Sequence, residues 1–329
     1  MFKFIHIGLP KCASKTLQTL WFNDAKYTLV NEGILPVVNL LRSSTWEGNF
    51  PPSESVEVNV DKQSYSGDNL VLSSEGFSYA YNADNNFRDG VLKQYFENSS
   101  RYLGGVAGPK TGVLLMIRSP RQWLTSLYNQ YIREGGRLNA ETYLEKRLAW
   151  IIEASDLRFL VEAYRKQFRN ISVIAIDRTV DGLNESLEMI SKTFDVPVPN
   201  MSVENYNSSL SIERLCLLAQ LNSITHRQMK VLNEFKSKSQ EIDKKLRLGE
   251  STDYWRNRRF CELSSFSDIE KLLVQFNLKN HDGLEKYSFE ALTLPNKLVR
   301  HLKANFIDTI LEETNDSELA RKYLRELTT

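Results

Sequence analysis

The sequence has few cysteines, no long apolar run and almost no net charge, and each shortage removes a class of protein. Three cysteines, Cys12, Cys216 and Cys261, are scattered along 329 residues without a C-x-x-C pair. That argues against a disulfide scaffold or a zinc site and suits a reducing compartment. No stretch of about 18 apolar residues is present, and the N-terminal residues run straight into a strand-like segment without an apolar signal region. The expectation is a cytoplasmic protein with no transmembrane segment. Lysine and arginine number 42 against 41 aspartates and glutamates. No global field draws the chain to nucleic acid or to an anionic membrane, so any anion binding must be local.

What is present is an alternation of short apolar runs with helical periodicity, the pattern of an α/β protein with a parallel sheet. Strands are expected at Phe2 to Ile7, Asn69 to Ser73, Val113 to Ile117 and Ile171 to Ile176. Helices are expected at about Ser14 to Lys26, Gln122 to Arg133, Ala140 to Phe168 and Val180 to Phe194. Residues 39–67, rich in Ser, Asn, Pro and Glu, read as a long surface excursion. From Ser209 onward the pattern is helical. The fold class that follows is a P-loop-type three-layer α/β fold, a central parallel sheet flanked by helices, with a C-terminal helical extension. Residues 1–200 are expected to form the α/β core and 201–329 the extension, packed on it as one structural domain.

Two strand-to-helix junctions carry chemistry. The first, IHIGLPKCASKTLQ (Ile5 to Gln18), is a strand, a Gly-Pro turn and a helix start. Free backbone N–H groups at such a start hold phosphate or sulfate. The ATP-binding loop needs glycine directly before the lysine, in G-x-x-x-x-G-K-[ST]. Here serine precedes Lys15 and five residues separate Gly8 from Ser14, so the register is missed. Ser14 as a mere helix cap is the plainer alternative. The second junction, VLLMIRSPRQWLTSLYNQYIR (Val113 to Arg133), ends a buried strand on Arg118, whose planar fork suits phosphate. Ser126 on the following helix can add a hydroxyl. The plainer reading makes these a surface ion-pair residue and a helix-face hydroxyl, and Arg121 an exposed first-turn residue. Two anion sites at the carboxyl ends of parallel strands suggest one ligand with two separated phosphates.

These junctions resemble those of the sulfotransferases that use 3′-phosphoadenosine 5′-phosphosulfate (PAPS), the bacterial carbohydrate sulfotransferases among them. Their 5′-phosphosulfate loop commonly reads P-K-x-x-[ST]-x-[ST], matched by Pro10-Lys11-Cys12-Ala13-Ser14-Lys15-Thr16. Their 3′-phosphate element commonly reads R-[DS]-P-R-x-x-x-x-S, matched by Arg118-Ser119-Pro120-Arg121 and Ser126. Weaker likeness runs through Val173 to Val196 and through NYNSSLS, Asn205 to Ser211, so that the resemblance covers roughly residues 2–225. Ala13 departs from the usual glycine and Lys15 from a small or hydroxyl residue. The resemblance implies donor contacts from Lys11, Cys12, Ala13, Ser14, Lys15, Thr16, Arg118 and Ser126. It implies PAPS as co-substrate, no metal, and a hydroxyl-bearing acceptor, a glycan by preference, with a lipid, a phenol or a small alcohol as alternatives.

A general base in that family is His or Glu. The run NLVLSSEGFSYAY, Asn69 to Tyr81, ends an expected strand in Ser73-Ser74-Glu75, at the sheet edge where ligands gather. Glu75 is therefore the candidate base, with a solvated or capping glutamate as the alternative. His6, on the first strand, reads as structural, and His226, His281 and His301 as surface residues. Arg256, Arg258 and Arg259 with Tyr254 and Trp255 form either a solvated face or a closing element, and Trp46 is a further acceptor-contact candidate. The competing functions are a P-loop nucleotide kinase and a non-catalytic nucleotide- or glycan-binding protein.

Overall fold

The computed structural model describes residues 2–30, 34–48, 69–79, 89–177, 182–200, 211–223, 226, 284–289 and 292–328. Five parallel strands form one sheet: β1 (Phe4–His6), β2 (Tyr27–Val30), β3 (Asn69–Ser73), β4 (Gly112–Ile117) and β5 (Asn170–Ala175), in the order β2-β3-β1-β4-β5. The helices flanking or following them are α1 (Ser14–Asn23), α2 (Ile34–Glu47), α3 (Val91–Ala107), α4 (Pro120–Arg133), α5 (Ala140–Ala154), α6 (Leu157–Arg165) and α7 (Gly182–Phe194). This is the expected α/β class.

Every residue of β1 and β4 is buried, as strands covered on both faces require. Phe4 of β1 stacks on Phe194 of α7 at 4.7 Å and meets Trp21 of α1 edge-on at 5.4 Å. Because all strands run parallel, their carboxyl ends share one edge, where open α/β sheets bind ligands.

Several elements differ from expectation, α3 (Val91–Ala107) among them as a helix the sequence pattern does not announce. Edge strand β2 is four residues long and half-exposed at its centre, too short for a clear alternation. Residues 39–47 belong to α2 rather than to a surface excursion. There the hydroxyls of Ser44 and Thr45 return to the carbonyls of Leu40 and Leu41 at 2.6 and 2.7 Å, which lets small polar residues sit inside a helix. The helix expected over 140–168 is broken, because Asp156 caps α6 by accepting from the Phe159 N–H at 3.1 Å.

The chain divides into two compact units. The first comprises Met1–Trp123, Arg147–Tyr206 and Leu294–Thr329 and holds the sheet. Its C-terminal segment contributes Arg158–Glu312 and Arg165–Glu313 ion pairs with α6. The second comprises Leu124–Lys146 and Asn207–Thr293. Its described residues gather Tyr128, Tyr143 and Phe289 into one aromatic cluster, and Asn222 donates to the carbonyls of Ile132 and Gly136. Among the described residues no helix is long and apolar enough to cross a membrane.

Candidate active site

The loop from β1 to α1 is shaped by its own backbone. Leu9 N–H bonds to the Met116 carbonyl at 3.0 Å, holding the loop against β4, and Cys12 N–H closes on the Leu9 carbonyl at 3.2 Å. Gly8 is required for close packing: a Cβ there would meet Nε2 of His6 at 2.5 Å. Lys11 and Ala13 both have positive φ, 67° and 62°, with Cys12 between them on the ordinary side. This alternation of hand is the backbone pattern of an anion nest, in which the Cys12 N–H is held by the Leu9 carbonyl and the Lys11 N–H acts on Glu75. Ala13 stands in a conformation that favours glycine, at a cost of roughly 1–2 kcal/mol.

Ala13 is also the N-cap of α1, and no side chain caps this helix. The first helical bond runs from Leu17 N–H to the Ala13 carbonyl at 3.0 Å. That leaves the N–H groups of Ser14, Lys15 and Thr16 without intrahelical partners, at the positive end of the helix dipole. The Ser14 hydroxyl is buried and makes no hydrogen bond of ordinary geometry. Lys15 is exposed, Thr16 half-buried, and the Lys11 side chain half-buried.

Glu75 stands beside this loop because β3 is the neighbour of β1, with Ser73 opposite His6. Past the strand end Ser74 N–H bonds to the His6 carbonyl at 3.0 Å, and the Ser78 hydroxyl donates to the Gly8 carbonyl at 3.0 Å. A single 3₁₀ turn, Glu75–Phe77, lies between these ties, capped by Ser74, whose oxygen accepts from Gly76 N–H at 3.1 Å. Burial raises the pKa of Glu75. The Lys11 charge, the nearby Ser14 hydroxyl, the Arg42 charge and the Lys11 N–H act the other way. The carboxylate therefore lies beside the loop, within the field of Lys11 and near Ser14.

The junction after β4 is built differently. Arg118 donates to the Lys11 carbonyl at 3.2 Å and to Oε1 of Gln122 at 2.9 Å, so the guanidinium lies against the first loop. The N-terminus of α4 is satisfied from within: Ser119 Oγ accepts from Gln122 N–H at 3.3 Å, and Asp177, just past β5, accepts from Ser119 N–H at 2.9 Å. Any anion recognition at this junction thus falls to the Arg118 side chain rather than to the helix end. Asp177 in turn accepts from the Tyr323 hydroxyl, and its carbonyl accepts from Lys322 Nζ. Arg121 Nε donates to the Glu326 carbonyl at 2.7 Å. The C-terminal helix Ser317–Thr328 is thereby fastened at the carboxyl edge of the sheet. Sequence reasoning missed Asp177, Tyr323 and Arg42; the fastening pairs Asp177 and Tyr323 lie 146 residues apart, and no local pattern announces them.

The remaining candidates fall as follows. Cys12 is fully buried, burial pushes its thiol far up, and its Sγ faces the Pro10 carbonyl. It contributes loop shape. Ser126 is half-buried on α4, in the second unit. His6 is structural: it is fully buried, Nδ1 is 2.8 Å from Ser73 Oγ, and burial lowers its pKa to about 3. His301, expected at the surface, is half-buried beside Asn305. Trp46 lies in α2 with its ring 6.4 Å from that of Tyr95. Tyr254 to Arg259, His281 and Asn205 to Leu210 lie outside the described residues.

Among solved structures the chain is similar to a crystal structure of a sulfotransferase from Alicyclobacillus acidocaldarius. Identity is 14%, the TM-score is 0.44, and the match covers 62% of this chain and 87% of the other. No family model matches, and no curated protein matches in sequence.

Proposed function

We propose that the chain is a PAPS-dependent sulfotransferase, moving a sulfuryl group to a hydroxyl of an acceptor, with a carbohydrate favoured by the likeness of Asn205 to Ser211. The observation that carries the reading is a half-buried carboxylate set beside a lysine-bearing loop at a helix N-terminus, with Arg118 bonded to the same loop.

In this reading the N–H groups of Ser14 to Thr16 hold the 5′-phosphosulfate and Arg118 the 3′-phosphate. Glu75 takes the proton from the acceptor hydroxyl as the new O–S bond forms in line with the breaking bond to the 5′-phosphate oxygen. The leaving 3′-phosphoadenosine 5′-phosphate gains negative charge, which Lys11 and the helix end neutralise. A loose transition state of this kind needs positioning and charge more than covalent help.

A nucleotide kinase reading has the absent glycine before Lys15 against it. A non-catalytic binding reading has against it the carboxylate placed within the field of Lys11. The test is transfer of labelled sulfate from PAPS to a panel of hydroxyl acceptors. Glu75→Gln should abolish transfer while leaving nucleotide binding intact; full transfer by this variant would remove Glu75 from the mechanism.

A further inference from the structure

We infer that Arg42, on α2, is a positioning residue that keeps Glu75 in place and ionised once the donor has engaged Lys11. The inference rests on the reading of Glu75 as the general base.

The geometry begins with α2. Val38 and Arg42 are one helical turn apart and so lie on the same face. Val38 is packed so tightly on the 3₁₀ turn that a Cβ on Gly76 would meet its methyls at 2.9 and 3.0 Å. Arg42 therefore lies on the side of α2 that faces Glu75. Its Nη2 donates to the Tyr79 carbonyl at 3.2 Å, and it reaches the Tyr95 phenol, whose hydroxyl donates to the Gly76 carbonyl at 2.5 Å. Both ties hold Arg42 to the short segment just after Glu75, directly at Tyr79 and through Tyr95 at Gly76. None involves the β1–α1 loop.

The groups that bear on Glu75 come from the β1–α1 loop and three helices: Lys11 and Cys12 on the loop, Ser14 at the start of α1, Arg42 on α2, and Tyr95 on α3 through Arg42 and Gly76. The Cys12 thiol and the Tyr95 phenol are neutral, their ionisation opposed by burial. Two cations remain, Lys11 and Arg42. When phosphosulfate enters the loop, Lys11 and Ser14 turn to it, and its negative charge stands close to the carboxylate. Both changes favour the protonated acid, which cannot take a proton. Arg42, held by neutral carbonyl and phenol oxygens rather than by the loop, is then the remaining cation that opposes them.

The test is a carbon-13 NMR titration of the Glu75 carboxyl, assigned by its loss in Glu75→Gln, in the full chain with and without 3′-phosphoadenosine 5′-phosphate. Arg42→Gln should raise the Glu75 midpoint by about one unit or more, and by more with the nucleotide bound. Arg42→Lys, which keeps the charge, should restore most of the difference. The acid limb of kcat/KM should move with the midpoint, while a purely structural role would lower the rate at every pH equally. An unchanged midpoint in Arg42→Gln overturns the inference, as does a shift in Arg42→Lys equal to that in Arg42→Gln. If Arg42→Gln does not fold, an Arg42→Lys midpoint well above the wild-type value overturns it and one near that value supports it. Failure of the nucleotide to bind would instead count against the proposed function, since the titration of the free protein decides the role of Arg42 alone.

Discussion

Arg118 Nη1 donates to the carbonyl oxygen of Lys11 at 3.2 Å, so one hydrogen bond joins the end of β4 to the positive-φ turn after β1. The residue expected to read the 3′-phosphate also braces the loop expected to hold the 5′-phosphosulfate. Arg118→Ala should therefore weaken 3′-phosphoadenosine 5′-phosphate far more than adenosine 5′-phosphate, with a smaller loss common to both from the unbraced loop. Calorimetry on the two ligands measures the difference; equal losses would confine Arg118 to bracing.

Lys11 is half-buried and close to Glu75, just before α1 begins, and in the proposed reaction it meets the charge that develops on the leaving group. Lys11→Ala should lower kcat by about 10²-fold or more, the size typical of losing a preorganised charge donor. Steady-state kinetics distinguish this from an effect on KM alone, which would make the lysine a uniform binder of ground and transition states.

Ala13 has φ of 62° in the turn that sets the nest. Ala13→Gly removes a penalty of roughly 1–2 kcal/mol and adds back about 0.4–1 kcal/mol of unfolded-state entropy. Urea denaturation should show a net gain of between about 0 and 1.6 kcal/mol. Ala13→Val should be destabilising, because a β-branched residue tolerates this region least.

Much of this site was legible because its groups lie in two contiguous stretches, and the departure at Ala13 marks the position whose φ favours glycine. Glu75 could be placed because it follows a buried strand, and strand ends define the ligand edge of a parallel sheet. Arg42 is not legible in sequence: residues 39–67 read as a surface excursion, since Ser43, Ser44 and Thr45 look like loop residues until their hydroxyls are seen returning to helix carbonyls. Asp177 and Tyr323 were hidden for another reason. Their bond depends on where the C-terminal helix docks, a tertiary fact with no sequence period.

Burial raises the Glu75 pKa above its ordinary value of 4.5. The protonated acid thus favours the folded state. The stability it contributes is fully present below the unfolded value and is lost as pH rises through the folded one. Glu75→Gln should accordingly gain on the wild type as pH rises from about 4 and hold a constant advantage above the folded midpoint. Melting temperatures across this range measure it; an advantage that falls with rising pH would mean that Lys11 and Arg42 outweigh burial.

The central claim is a donor site for a nucleotide carrying both a 5′-phosphate and a 3′-phosphate. Isothermal titration calorimetry of the full chain with 3′-phosphoadenosine 5′-phosphate, and in parallel with ATP and Mg²⁺, tests it most directly. Tight binding of the first, at least about tenfold stronger than the second, corresponds to about 1.4 kcal/mol of discrimination and is the expected result. Equal or stronger binding of ATP with Mg²⁺ would contradict the sulfotransferase reading and favour a phosphotransferase.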